Sequence, residues 1–209
     1  MSAPMTKEEI AAVLADHLKW LCGEGGNRAR LVGARLDGAS LVGARLDGAS
    51  LDCAILDGAS LDGASLVGAS LVGASLDRAS LDGARLDGAR LDGASLVGAS
   101  LDRASLDGAS LDGASLVGAS LDRASLDGAK INGKIALGIL RRATRKDGYE
   151  FFLWHCQEGY FIKAGCRFLD IKAARQHWTA TRAGTPLGNE SLDILDFFDA
   201  AIKRQEAAQ

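Results

Sequence analysis

Two groups of residues in this 209-residue chain have types and spacings that chemistry could use. The first is His155, Cys156, Cys166 and His177, two imidazoles and two thiols that could meet across adjacent strands and a helix as a zinc donor set. Their spacing argues against it. His155 and Cys156 are neighbours that point to opposite faces of a strand, and no Cys-x-x-Cys pair is present. Cys166 and His177 as nucleophile and base lack a glycine-framed elbow and a third orienting group. We therefore expect no catalytic residue, no metal and no cofactor, with thiols buried and histidines on the surface. The second group is a ladder of small polar and acidic side chains. Residues 29–133 hold 14 aspartates against eight arginines and one lysine, a net charge of −5.

What must position that ladder is a strict five-residue period. From Ala29 to Gly133 there are 21 consecutive units of the pattern alanine, variable residue, leucine, aspartate or valine, glycine, and leucine is central in every unit except the last. A period of five fits neither a helix at 3.6 nor a flat strand at 2, so the chain must close into a coil. With one corner per unit, the leucine and the alanine two residues before it point inward, and the other three positions face water or form the corner. The terminal glycine suits a corner that needs unusual φ angles. The glycines belong to this period rather than to a phosphate-binding loop.

The motif of a small residue, a polar residue, a central leucine and two freer positions resembles the pentapeptide-repeat family. That resemblance implies a right-handed quadrilateral β-helix with four pentapeptides per square turn. Twenty-one units then make roughly five coils and a rod about 25 Å long at strand spacing. Residues 94–113 are copied in their first three units by 114–128, which favours growth by duplication of whole coils.

Taken in fours, the units place Ser40, Ser60, Ser80, Ser100 and Ser120 in one column and Asp62, Asp82, Asp102 and Asp122 beside it. Stacked carboxylates repel, and Arg103 and Arg123 at the next position are expected to relieve part of that. We take Ser60, Ser80, Ser100, Ser120 and the four aspartates as the candidate partner-binding face. The best-known members of the family bind type II topoisomerases in place of DNA and protect them from quinolones. Duplex DNA of the same length would carry roughly 15 charges, so the rod imitates it weakly overall. Phenylalanine at the central position and a projecting loop are also missing from this sequence. Ordering of ice on the serine column is disfavoured because the rod has no threonine.

At the N-terminus, Thr6 with Glu9 forms a capping-box signature, and Ile10, Val13, Leu14, Leu18 and Leu21 form an apolar stripe that ends at Gly23. This predicts an amphipathic helix over 6–22 that lies as a lid on the first coil, where a solenoid would otherwise expose strand edges. Asp16, His17 and Lys19 interrupt the stretch, which excludes a secretion signal, and no run approaches a membrane span. A soluble, cytoplasmic protein is the expectation, and Cys22, Cys53, Cys156 and Cys166 lack the dense spacing of a disulfide scaffold.

After Gly133 the composition changes. All six phenylalanines lie beyond residue 150, and residues 134–209 carry a net charge of +3. Strands are expected at 135–144, 149–156 and 160–164, and helices at 170–178 and 190–205, giving a small α+β module built on a three-stranded meander. Phe151, Phe152 and Trp154 should form its core. Arg141, Arg142, Arg145 and Lys146 make a basic cluster too small to indicate nucleic-acid binding. In the last helix Leu195, Phe198 and Ile202 form either a homodimer surface or a face buried on the module's own strands.

The organisation read from the sequence is thus a mainly β chain: residues 1–28 a capping helix, 29–133 a β-solenoid of 21 repeats, and 134–209 an α+β module. The expected function is non-enzymatic, a protein-binding or structural rod. The alternative is a DNA mimic that binds DNA gyrase or topoisomerase IV and gives quinolone or toxin tolerance. No direct nucleic-acid or membrane partner is expected. The combination also resembles pentapeptide-repeat proteins of bacterial prophage regions.

Overall fold

A computed structural model describes residues 3–164, 167–182 and 184–208. The chain divides into two compact units, Met1–Gly133 and Lys134–Gln209.

In the first unit the variable residue of each pentapeptide from Arg30 to Ser110 forms a parallel bridge with the residue twenty positions later. Ser40, Ser60, Ser80, Ser100 and Ser120 make one such column, and others begin at Arg30, Arg35 and Arg45. Four pentapeptides therefore complete one coil, and successive coils stack in register. Each unit of the inner coils donates three backbone bonds to neighbouring coils. In the unit 59–63, the Leu61 N–H donates to the Ser80 carbonyl at 2.7 Å and the Gly63 N–H to the Asp82 carbonyl at 2.9 Å, both one coil onward, while the Ser60 N–H donates to the Ala39 carbonyl at 2.9 Å, one coil back. The corner is closed within the coil by the Ala64 N–H on the Leu61 carbonyl at 2.9 Å.

The side chains explain why this backbone closes. From Leu46 to Ala119 every central leucine and every unit's alanine is at most 2% exposed. Leucine fills the interior and alanine lets the walls approach. The fifth position sits at positive φ, as at Gly63 with φ +64°, a conformation open to glycine. Cys53, Arg78, Arg103 and Arg123 adopt it at that position without that freedom, at φ between 57° and 61°.

Helix α1, Lys7–Cys22, opens this unit. Its capping box is complete: the Glu9 N–H donates to Thr6 Oγ1 at 3.2 Å, and the Thr6 N–H donates to the Glu9 carboxylate at 2.8 Å. Gly23, in the left-handed region, ends it. The helix is tied to the first coil. The Met5 N–H donates to the Arg35 carbonyl at 2.9 Å, and Asn27 donates its main-chain and side-chain N–H to Asp16. The expected stripe needs one correction. Leu18 is 44% exposed, whereas His17 is fully buried with Nδ1 accepting from the Ala29 N–H at 3.1 Å. A rotation of about 100° per residue separates these neighbours, and the stripe runs through His17.

The second unit is α+β. Strands β1 (Lys134–Thr144), β2 (Glu150–Cys156), β3 (Gly159–Ala164) and β4 (Arg167–Asp170) pair antiparallel in chain order. Helices α2 (Ile171–Arg182) and α3 (Pro186–Glu206) follow. The three-strand expectation missed β4, because Arg167–Asp170 offers only two apolar residues between charges. Its Phe168 pairs with Lys163 and stacks on Phe161 at 5.2 Å. Phe151, Leu153, Ile162 and Ala164 pack against Trp178 of α2 and against Leu195, Phe198 and Ile202 of α3. The reading of Leu195, Phe198 and Ile202 as a dimer surface is therefore corrected: these side chains are spent in the core of their own unit. Phe152, Trp154 and Cys156 are buried as well.

Candidate functional site

The acidic face is built by the coil register. In Asp62 the Oδ1 atom accepts from the Ser80 hydroxyl and from the Asp82 N–H at 3.2 Å, while Oδ2 accepts from the Ser60 hydroxyl at 3.3 Å. Asp82 accepts from Ser100, and Asp102 from Ser120 and from the Asp122 N–H at 3.0 Å. The same clasp, from an aspartate to a serine eighteen residues later, recurs in the other columns from Asp47–Ser65 to Asp107–Ser125. It joins position four of one unit to position two of the unit one coil on. All eight predicted face residues, Ser60, Ser80, Ser100, Ser120, Asp62, Asp82, Asp102 and Asp122, thus share one face. The expected relief by arginine is not how the charges are managed. Among the described residues Arg103 and Arg123 form no ion pair; hydroxyls and main-chain N–H groups hold the carboxylates of Asp62, Asp82 and Asp102 instead. The signal for this lay in the sequence as a fixed offset of eighteen.

The other columns differ. Arg35, Arg45, Arg85 and Arg90 each pair with the aspartate two residues on, at 3.2, 3.7, 3.3 and 3.3 Å. These pairs are partly or largely exposed and contribute little stability, but they neutralise the faces they occupy.

The histidine and cysteine set does not assemble. His155 stacks on Tyr160 at 4.8 Å, and His177 packs edge-on to Trp178 beside Arg145 and Tyr149. Tyr149 and His155 are six residues apart, about 20 Å along an extended strand. Cys166 lies outside the described residues. Burial pushes the Cys156 thiol up to about 11, while Cys22 and Cys53 are exposed thiols. Among the described residues no three His, Cys, Asp or Glu side chains could hold a metal ion.

The basic cluster is likewise dispersed. Arg145 is buried, with Nε and Nη2 on the Asp147 carboxylate at 2.9 and 2.7 Å and Nη1 on Ser191 at 2.9 Å. These bonds hold the Asp147 carboxyl down at about 2. Arg142 donates to Glu150 at 2.9 Å.

Comparison with known proteins adds the deciding observation: the model of pentapeptide repeats matches residues 29–68, 59–98 and 99–133, half of the sequence. The chain belongs to the pentapeptide-repeat family. Among solved structures, a pentapeptide repeat protein, Rfr23 from the cyanobacterium Cyanothece 51142, is 26% identical over 56% of this chain and 93% of its own, with a TM-score of 0.50. A pentapeptide repeat protein, alr5209 from Nostoc PCC 7120, is 32% identical over 53% of this chain and 84% of its own, with a TM-score of 0.45. QnrB1, a plasmid-mediated fluoroquinolone resistance protein, is 20% identical over 51% and 67%, with a TM-score of 0.30. No curated protein matches the chain. Within the described residues, no helix of this pentapeptide-repeat protein is long and apolar enough to cross a membrane.

Proposed function

We propose that this is a non-enzymatic pentapeptide-repeat protein that binds a basic protein partner through the Asp62, Asp82, Asp102 and Asp122 strip and its serine column. One observation carries the reading. This is the column whose variable position is serine from residue 40 to residue 120, whereas each other column carries one or two arginines among its serines, and Arg35, Arg45, Arg85 and Arg90 there pair with aspartate. Asp62, Asp82 and Asp102 are held by serine hydroxyls rather than by cations, and so they keep their charge. The clasp uses Oδ1 of Asp82 and Asp102, and a partner's guanidinium or ammonium donor would take Oδ2.

In this reading residues 29–133 form a right-handed quadrilateral β-helix, 1–28 its cap and 134–209 a separate α+β module, in a bacterial cytoplasm. Capture from bacterial lysate with the full chain and with an Asp82→Asn, Asp102→Asn variant tests it, because asparagine keeps the Oδ1 acceptor and loses the charge. A partner released by rising salt and lost by the variant supports the proposal. Equal retention by both baits refutes the face, and no specific retention leaves a structural rod.

The second reading, a mimic of DNA that binds gyrase or topoisomerase IV, is favoured by the same strip, where serine stands at every variable position from residue 40 to residue 120. A total of −5 against roughly 15 charges on duplex of that length weighs against it. A gyrase subunit on the wild-type bait would move it to first place.

A further inference from the structure

We infer that the second unit carries a binding site for a phosphomonoester dianion, in the cleft where the turn before β2, the start of β4 and the end of α2 meet. The cleft has a volume of about 230 Å³ and is lined by Arg145, Arg167, Arg182 and His177, with no acidic side chain on it among the described residues.

The three arginines are not equivalent. Arg145 is spent: its fork is closed on Asp147 and Ser191, and its guanidinium lies 4.9 Å over the Tyr149 ring. It forms a rigid wall. Arg167, at the start of β4, and Arg182, the last residue of α2, are exposed, and among the described residues neither side chain has an ion pair or hydrogen bond. A cation at a helix C-terminus is ordinary by itself, since the carbonyl end of the helix favours it. That does not account for Arg167 arriving from a strand at the same cleft. Both charges act on His177, whose pKa is pushed down first by burial and then by Arg167 and Arg182. The acids that act on Arg145 are already engaged, Asp147 by Arg145 itself and Glu190 by the Lys146 N–H at 3.0 Å. Two unpaired guanidiniums and an imidazole therefore converge without an anion among them.

Guanidinium forks match the oxygens of a phosphoryl group in geometry as well as charge. A dianion matches the two free arginines, and His177 can supply a further N–H. The volume leaves room beyond the phosphate for a small organic remainder, with Tyr149 and Trp178 as its apolar wall.

The test is calorimetric titration of the full-length protein with inorganic phosphate, glycerol phosphate, phosphoserine and AMP, together with NMR observation of the His177 ring. We expect saturable binding that shifts the His177 resonances. Arg167→Ala and Arg182→Ala should each weaken binding roughly tenfold or more, because each removes a charge-assisted bond. Lys172→Ala, exposed on α2 away from the cleft, should leave it unchanged. Inorganic phosphate binding as tightly as the esters would show that the phosphoryl group alone is read, and tighter binding of one ester would show that the apolar wall reads the remainder; either supports the site. No saturable binding in the millimolar range, or binding unchanged in the folded Arg167→Ala, Arg182→Ala double variant, overturns it.

Discussion

Replacing Asp62 with alanine decides whether the acidic ladder stabilises the rod or strains it. Asp62 accepts from the Ser80 hydroxyl, the Asp82 N–H at 3.2 Å and the Ser60 hydroxyl at 3.3 Å. A hydrogen bond to a charged group contributes about 1.5–3 kcal/mol net. Two of these three are long, and the half-buried carboxylate leaves room for water to replace it, so a total loss of about 2 kcal/mol is expected rather than three full bonds. With a urea m-value of about 2–3 kcal/mol/M, the unfolding midpoint falls by about 0.7–1 M. Asp127→Ala is the internal control. It lies in the last coil, where no serine stands eighteen residues on, and its side chain accepts no bond among the described residues, so its loss should stay within about 0.5 kcal/mol. Urea unfolding followed by circular dichroism gives both numbers. Like-charge repulsion predicts the opposite sign, because removing one carboxylate from the column would then stabilise it. A midpoint for Asp62→Ala equal to that of Asp127→Ala, or above wild type, would refute the clasp. In a Ser80→Ala background Asp62→Ala should cost less than it does alone, since the two share a bond.

Three further outcomes are expected. His17 is buried and neutral, its pKa pushed below 6.5 chiefly by burial, while Asp47 raises it and Arg28 and Arg45 lower it. The unfolded chain takes up the proton first, so the contribution of His17 is complete above about pH 6.5 and is lost as pH falls toward the depressed native value. Hydrogen-exchange protection over 7–22 should decline in that window, and a flat profile would contradict it. Arg103→Gly should raise stability by about 0.5–1 kcal/mol in thermal unfolding, because Arg103 sits at φ +61° where glycine is unstrained. Iodoacetamide at mildly alkaline pH should label Cys22 and Cys53 and spare Cys156, as read by peptide mass spectrometry; labelling of native Cys156 would contradict its burial.

Much of the first unit was legible because its information is local and repeated. A leucine every five residues states which side chains point inward, and glycine at the fifth position states where the chain turns. What the bare sequence hid was the partner of each aspartate. Asp62 looks solvated in its own unit, and only the twenty-residue coil register brings it to Ser80. His17 was obscured for a related reason: a polar ring on an apolar stripe reads as an interruption until the Ala29 N–H that it satisfies is seen. In the second unit β2 was visible in Phe151–Trp154, whereas the four residues of β4 depend on pairing with β3 for their strand character. The convergence of Arg167, His177 and Arg182 joins residues from two elements that no motif spacing connects.

The three inter-coil bonds of each pentapeptide do not point equally in both directions. The leucine and glycine N–H groups reach toward the C-terminal end, as from Leu61 to Ser80 and Gly63 to Asp82, and the serine N–H reaches back, as from Ser60 to Ala39. One peptide dipole per unit is therefore left uncancelled, about 3.5 D each. Summed over the stack, these give the coil an electrical direction that ordinary sheets lack. Its first rung is a carbonyl-rich, negative rim, and whatever covers it must arrive as a hydrogen-bond donor, as the Met5 N–H does at Arg35.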